Sequence, residues 1–125
     1  MRKPLSPLGE TEMEILKIVW ELGEASVSDV REIMLEYREV AYTTVMTIMK
    51  NLADKHYLKY RQVGRSYIYS AAIDPADVRF NLIDRLVDKV FEGSPKELVQ
   101  TLVQSEKISE KEREEIKKMI DKLKD

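Results

Sequence analysis

The chain contains no cysteine, which excludes disulfides, a thiolate metal site and a cysteine nucleophile. It has one histidine, His56, with no second histidine and no glycine-rich phosphate loop near it, so neither a metal centre nor nucleotide chemistry is expected there. In the Lys55-His56-Tyr57 segment it reads as a solvated or phosphate-contacting residue. No apolar run approaches the roughly 18 residues of a membrane span. Met1-Arg2-Lys3-Pro4 is not followed by the apolar stretch of a signal peptide. These absences predict a cytoplasmic protein with no membrane partner and no cofactor. Glycine and proline number four each and form no tract. The 125 residues should therefore fold, as one compact domain or as a small domain with an appendage.

What the chain does have is charge, 35% of its residues, and a net charge of only −2 that hides an uneven distribution. Between residues 42 and 67, Lys50, Lys55, Lys59, Arg61 and Arg65 face a single acid, Asp54. A basic surplus of that kind is modest in one chain, but a homodimer presents it twice.

The stretch from Tyr42 to Lys55 lies inside this basic region. Val45, Ile48, Met49 and Leu52 recur at the spacing of one helix face, which is expected to be buried. The other face carries Tyr42, Thr43, Thr44, Met46, Thr47, Lys50 and Asn51. Short hydroxyls, one amide and one cation can donate to phosphates and read base edges. The competing reading is a half-buried helix whose threonines only cap and fill.

Two helices are expected before it. Gly9 is positioned as an N-cap with Glu12 three residues on, and Met13, Leu16, Val19 and Trp20 line one side, broadened by Ile15, Ile18 and Leu22. Gly23 ends that helix. Ser26 and Asp29 start the second, whose stripe is Val27, Val30, Ile33, Met34 and Tyr37. After the basic helix, Leu58–Val63 and Ser66–Ser70 alternate as strands around Gly64-Arg65, a two-residue type II′ turn. That turn pairs Tyr60 with Tyr69 and Gln62 with Tyr67. Leu58, Tyr60, Tyr67 and Tyr69 then share one face, expected to point inward, and Lys59 and Arg61 share the other. Three helices followed by a basic-edged hairpin make a winged helix.

Asp74-Pro75 marks a boundary, giving residues 1–73 as a DNA-binding domain and 74–125 as a second region. The second region reads as three amphipathic helices with stripes at Leu82, Leu86 and Val90, at Leu98 and Leu102, and at Ile116, Met119, Ile120 and Leu123. Isolated helices of this length are marginal in water. Their stripes therefore require a partner, and a second copy of the chain in a symmetric dimer is the expected one. The fold class is mainly α with a small β-hairpin, an N-terminal winged helix-turn-helix plus a C-terminal helical dimerisation region.

Three segments carry a family resemblance: Leu8 to Leu16 with Val19-Trp20, Ala25 to Val30, and Ala41 to Thr47 with Gly64-Arg65-Ser66-Tyr67-Ile68-Tyr69. With the three-helix tail, the chain resembles the BlaI/MecI/CopY repressors, the penicillinase-repressor type. The resemblance implies a homodimer that binds palindromic double-stranded operator DNA and represses transcription. It places Thr43, Thr44, Thr47 and Lys50 in the major groove and Arg61 and Arg65 on the backbone. The copper-responsive branch uses paired cysteines that this chain lacks. The β-lactam branch is cleaved at an Asn-Phe bond, where this chain has Thr101-Leu102. Neither induction route is supported, so the inducer is open. An enzyme is not expected. The alternative is a winged helix used only to bind protein, which would not need a basic helix-and-wing surface.

Overall fold

The structure, a computed structural model, describes residues 5–123; the outermost residues of the two expected regions, 1–4 and 124–125, lie outside them. The order is α1 (Glu10–Leu22), β1 (Glu24–Ala25), α2 (Val27–Met34), α3 (Tyr42–Asp54), β2 (Leu58–Val63), β3 (Ser66–Ala71), α4 (Pro75–Val90), α5 (Pro95–Gln104) and α6 (Glu110–Lys122).

Local chemistry sets most boundaries. The Gly9 N–H donates to Glu12 Oε1 at 2.9 Å, and α1 stops at Gly23, whose φ of 82° suits a residue without Cβ. Ser26 caps α2 reciprocally with Asp29, at 3.1 Å and 2.9 Å. α3 ends in a Schellman motif: the Tyr57 N–H donates to Leu52 O and the His56 N–H to Ala53 O, with His56 at φ 69°. His56 thus fills a left-handed position where glycine is the usual choice. Ser94 and Ser109 cap α5 and α6, and Asp74 accepts from the Ala76 N–H at 2.9 Å at the start of α4.

The core of the N-terminal unit is Ile15, Leu16, Ile18 and Val19 of α1, Val27, Val30 and Met34 of α2, and Val45, Met49 and Leu52 of α3. The α3 face forms as its periodicity predicts, with Ile48 half-buried at its margin. The α1 face is rotated from the expected one. Met13 and Trp20 are half-buried and Leu22 is exposed, because Ile15 and Ile18 take the centre. Tyr37 is not in the α2 stripe. α2 ends at Met34, and Tyr37 lies exposed in the turn beyond it.

The hairpin has the expected register, Tyr60 opposite Tyr69 and Gln62 opposite Tyr67. Gly64 has φ 61° and Arg65 is not in the left-handed region, which makes the turn type II′ rather than I′. The sheet has a third strand that the sequence did not signal. Glu24 and Ala25 pair antiparallel with Ser70 and Tyr69, giving the order β1-β3-β2. Only part of the expected inward face is covered. Leu58 and Tyr69 are buried, whereas Tyr60, on the edge strand β2, and Tyr67, toward the turn, are 56% and 44% exposed.

Two compact units are present, and they divide inside α4 rather than at Asp74-Pro75. Residues up to Asn81 belong to the first, and residues from Leu82 belong to the second. The first turns of α4 are built into the N-terminal unit: Val78 is buried, and the Arg79 guanidinium lies 5.4 Å from the Trp20 ring centroid. From Leu82 onward Val87 alone is buried among the described residues.

Candidate nucleic-acid interface

α3 presents Tyr42, Thr43, Thr44, Met46, Thr47, Lys50 and Asn51 to solvent while its other side holds the core. Its 13 residues span about 20 Å at 1.5 Å per residue, and a major groove about 12 Å wide admits such a helix. The helix start is also distinctive. Every other helix among the described residues carries an acid in its first turn, and α3 carries none. Ala41, its N-cap, offers no side-chain acceptor. The start of α3, the positive end of its dipole, thus lacks a side-chain cap and lies beside a face free of carboxylates until Asp54.

A groove of about 820 Å³ runs between α3 and the wing. Met46, Thr47, Lys50 and Asn51 line it from the helix, Tyr60, Tyr67 and Arg65 from the hairpin, and Ser26 and Ser28 from the start of α2. Tyr69 forms its floor, and burial pushes the Tyr69 phenol above its ordinary pKa. A separate, shallow acidic depression is lined by Glu24, Asp29, Glu32 and Glu36. Four carboxylates gather there, whereas Asp54 is the single acid among the residues that line the α3 groove.

Four of the five basic residues between residues 42 and 67 divide into two kinds, and the fifth, Lys59, is exposed on the same hairpin face as Arg61. Lys50 and Arg65 line the groove and have no ion-pair partner among the described residues. Lys55 is engaged: Nζ reaches Glu12 at 2.8 and 2.9 Å and Pro7 O at 3.0 Å. Arg61 lies on the opposite face of the hairpin from Tyr60 and pairs with Glu24 at 3.2 Å. The structure thus brings together the α3 residues and Arg65, and sets Arg61 apart from them. Tyr60 and Tyr67, which periodicity assigns to an inward face, join the site. Alternation places them correctly on one side of the sheet but carries no information on where the covering helix stops.

The segment before α3 is braced from two directions. Arg31 Nε donates to Val40 O at 2.9 Å. Glu14 of α1 accepts from the Tyr37 hydroxyl and from Arg38 Nη2, the latter at 2.7 Å. The Tyr37 hydrogen bond first, then Arg38, holds the Glu14 carboxyl below its ordinary pKa. No group of three or more His, Asp or Glu side chains among the described residues is arranged to hold a metal ion. No helix among them is long and apolar enough to cross a membrane.

The apolar stripes expected to meet a second copy lie on α4 to α6 and at the C-cap of α6. Leu86, Val90, Leu102, Met119, Ile120 and Leu123 are exposed, and Leu82, Leu98 and Ile116 are half-buried. Neither α5 nor α6 buries a single residue. Thr101 and Leu102 are both exposed inside α5.

Known proteins resemble this chain in sequence and in fold. The chain is 29% identical over 115 residues to the penicillinase repressor of Staphylococcus aureus, covering 90% of this chain and 89% of that protein. It is 23% identical over 115 residues to the methicillin resistance regulatory protein MecI of Mammaliicoccus sciuri, covering 92% and 94%. Among solved structures, the DNA-binding domain of the repressor BlaI superposes with a TM-score of 0.53 at 23% identity, covering 62% of this chain and 93% of that one. Bacillus licheniformis BlaI in its monomeric form, in complex with the blaP half-operator, gives 0.51 with the same identity and coverage. These likenesses establish a winged-helix fold for the N-terminal unit. The sequence profile described as penicillinase repressor matches residues 8–122, nearly the whole chain, and the chain belongs to that family.

Proposed function

We propose that this protein is a sequence-specific DNA-binding transcriptional repressor that acts as a homodimer on a palindromic operator. One observation carries the reading. The exposed face of α3, free of acids from Tyr42 to Asn51, shares a groove with Arg65 of the wing. Thr43, Thr44, Thr47, Lys50 and Asn51 are the residues that meet base edges and groove walls, and Tyr42 and Met46 flank them. Arg65 meets a phosphate. Arg61 meets one only from the outer face of the wing and at the expense of its pair with Glu24.

The dimer is supported by the stripes of α4, α5 and α6. A monomer that leaves Leu86, Val90, Leu102, Met119, Ile120 and Leu123 in water forgoes most of the apolar burial those helices can make. Facing copies related by a two-fold axis bury the same stripe twice. Two winged helices on one dimer match two half-sites, and the second contact becomes intramolecular, which raises affinity by roughly 10²–10⁴-fold.

The test is a titration of the full chain against three duplexes: a palindrome selected from a random pool, one half of it, and an unrelated sequence. Tight binding to the palindrome, weak binding to the half-site and weaker binding to the unrelated duplex are expected. Equal affinity for all three would remove the reading.

A further inference from the structure

Tyr60 and Tyr67 pose a problem that the recognition helix does not solve. They stand side by side on the hairpin, ring centroids 4.8 Å apart and edge to face, with Tyr60 also 5.6 Å from Tyr69. Tyr69 is only 4% exposed and anchors the cluster, while the outer two rings stay open to solvent. Neither outer hydroxyl has a hydrogen-bond partner among the described residues. The turn that carries them is two residues long and of one defined type, so the rings are presented on a stiff support. Lys50 lies across the groove and Arg65 at its wing end.

A helix lying in a major groove and a hairpin beside it straddle the sugar–phosphate strand that borders the groove. The wing side of the groove, lined by Tyr60, Tyr67 and Arg65, is therefore the place of that strand, while Thr47 and Asn51 on its α3 side turn toward base edges. The wing-side lining suits a phosphodiester backbone: ring faces and edges for the deoxyribose, phenolic hydroxyls as neutral donors to phosphate oxygens, and the cations Lys50 and Arg65, against a single carboxylate, Asp54, at the last residue of α3. We infer that Tyr60 and Tyr67 form a cradle for one sugar–phosphate strand, binding it through neutral hydrogen bonds and ring contact rather than through charge. The inference rests on the groove being the DNA interface, and it assigns to the two tyrosines an affinity role that is independent of base sequence.

Neutral contacts have a signature that separates them from Arg65. They release no counterion, so losing them lowers affinity without changing the dependence of log K on log salt. The experiment measures binding of the full-length chain and its variants Tyr60→Phe, Tyr67→Phe and the double variant to the selected palindrome and to random duplex, over a range of salt. Both positions are exposed, so the variants keep the hairpin. The expected result is a loss of about three- to ten-fold for each hydroxyl, equal on both duplexes, with the wild-type salt slope retained. A palindrome with a methylphosphonate at the cradled phosphate should bind wild type and double variant alike. Unchanged affinity in the double variant overturns the cradle. So does a loss confined to the selected palindrome, which would make the tyrosines base readers, or a fall in salt slope, which would mean that they only position Lys50 or Arg65. Failure of the wild-type chain to bind any duplex refutes the reading of the groove itself.

Discussion

Lys50 and Arg65 differ from Lys55 and Arg61 in having no acidic partner, and that difference decides which basic side chains are free to meet phosphate. Each phosphate contact contributes about 0.9 to the salt slope. Arg65→Ala should weaken all duplexes alike and lower the slope by about two in a dimer. Arg61→Ala should leave it near the wild-type value, because an exposed arginine already paired with Glu24 releases little on leaving. Equal reductions in the two variants would show that the Glu24 pair opens on DNA. His56 contributes through its backbone instead. Its φ of 69° ends α3 and starts the path into the wing. A β-branched residue tolerates that region poorly, so His56→Val should cost about 1–2 kcal/mol in a urea unfolding curve. An unchanged midpoint would mean that the chain relaxes out of the Schellman motif without loss.

At the scale of elements, the position of α3 depends on carboxylates of α1. Glu14 holds the Tyr37–Arg38 turn that leads into α3, and Glu12 holds Lys55 just past its end. Both carboxyls are depressed below their ordinary pKa: Glu14 first by the Tyr37 hydroxyl, and Glu12 despite a burial effect of opposite sign, through the Gly9 N–H and Lys55. A carboxylate whose folded pKa lies below its unfolded value adds stability that is present above the unfolded pKa. That stability is lost as pH falls through the ordinary carboxylate range to the folded value. Unfolding free energies measured at falling pH should therefore drop below that range, and the drop should be smaller in Glu14→Gln. A parallel acid limb in the variant would place the pH dependence elsewhere. These pairs are partly exposed, so the effect is expected to be small at any one of them.

For the whole molecule, the open question is what covers the stripes of α4 to α6. Ile120 is half exposed, at 51%, on a helix with a complete capping box, so a charge there need not unfold α6. Ile120→Glu should keep its helical circular dichroism and sediment as a monomer. Its affinity for the full palindrome should fall toward that for one half-site, a loss of roughly 10²–10⁴-fold. A variant that still sediments as a dimer with wild-type affinity would show that the copies meet elsewhere. Because α4 begins inside the N-terminal unit, with Val78 buried, a separated N-terminal unit should extend to Asn81 rather than stop at residue 73.

The features legible in the sequence were those whose cause lies within a few residues. The buried face of α3 follows from the spacing of Val45, Met49 and Leu52. The cap of α2 follows from Ser26 and Asp29, and the hairpin register from Gly64 at positive φ. The winged-helix fold follows from these together, and the family from the resemblance carried by the segments from Leu8 to Leu16, Ala25 to Val30 and Ala41 to Thr47. What tertiary structure alone decided depends on which distant surface arrives. Glu24 and Ala25 become a strand only because β3 lies beside them, a pairing across more than forty positions that a two-residue segment cannot announce. Glu12 and Glu24 remove Lys55 and Arg61 from the basic surplus in the same way, since composition counts charges but not their partners. Tyr60 and Tyr69 are cross-strand neighbours on one face, and alternation cannot tell them apart. One is buried and the other open because Tyr69 sits on the central strand β3 and Tyr60 on the edge strand β2, a difference that only the assembled three-stranded sheet creates.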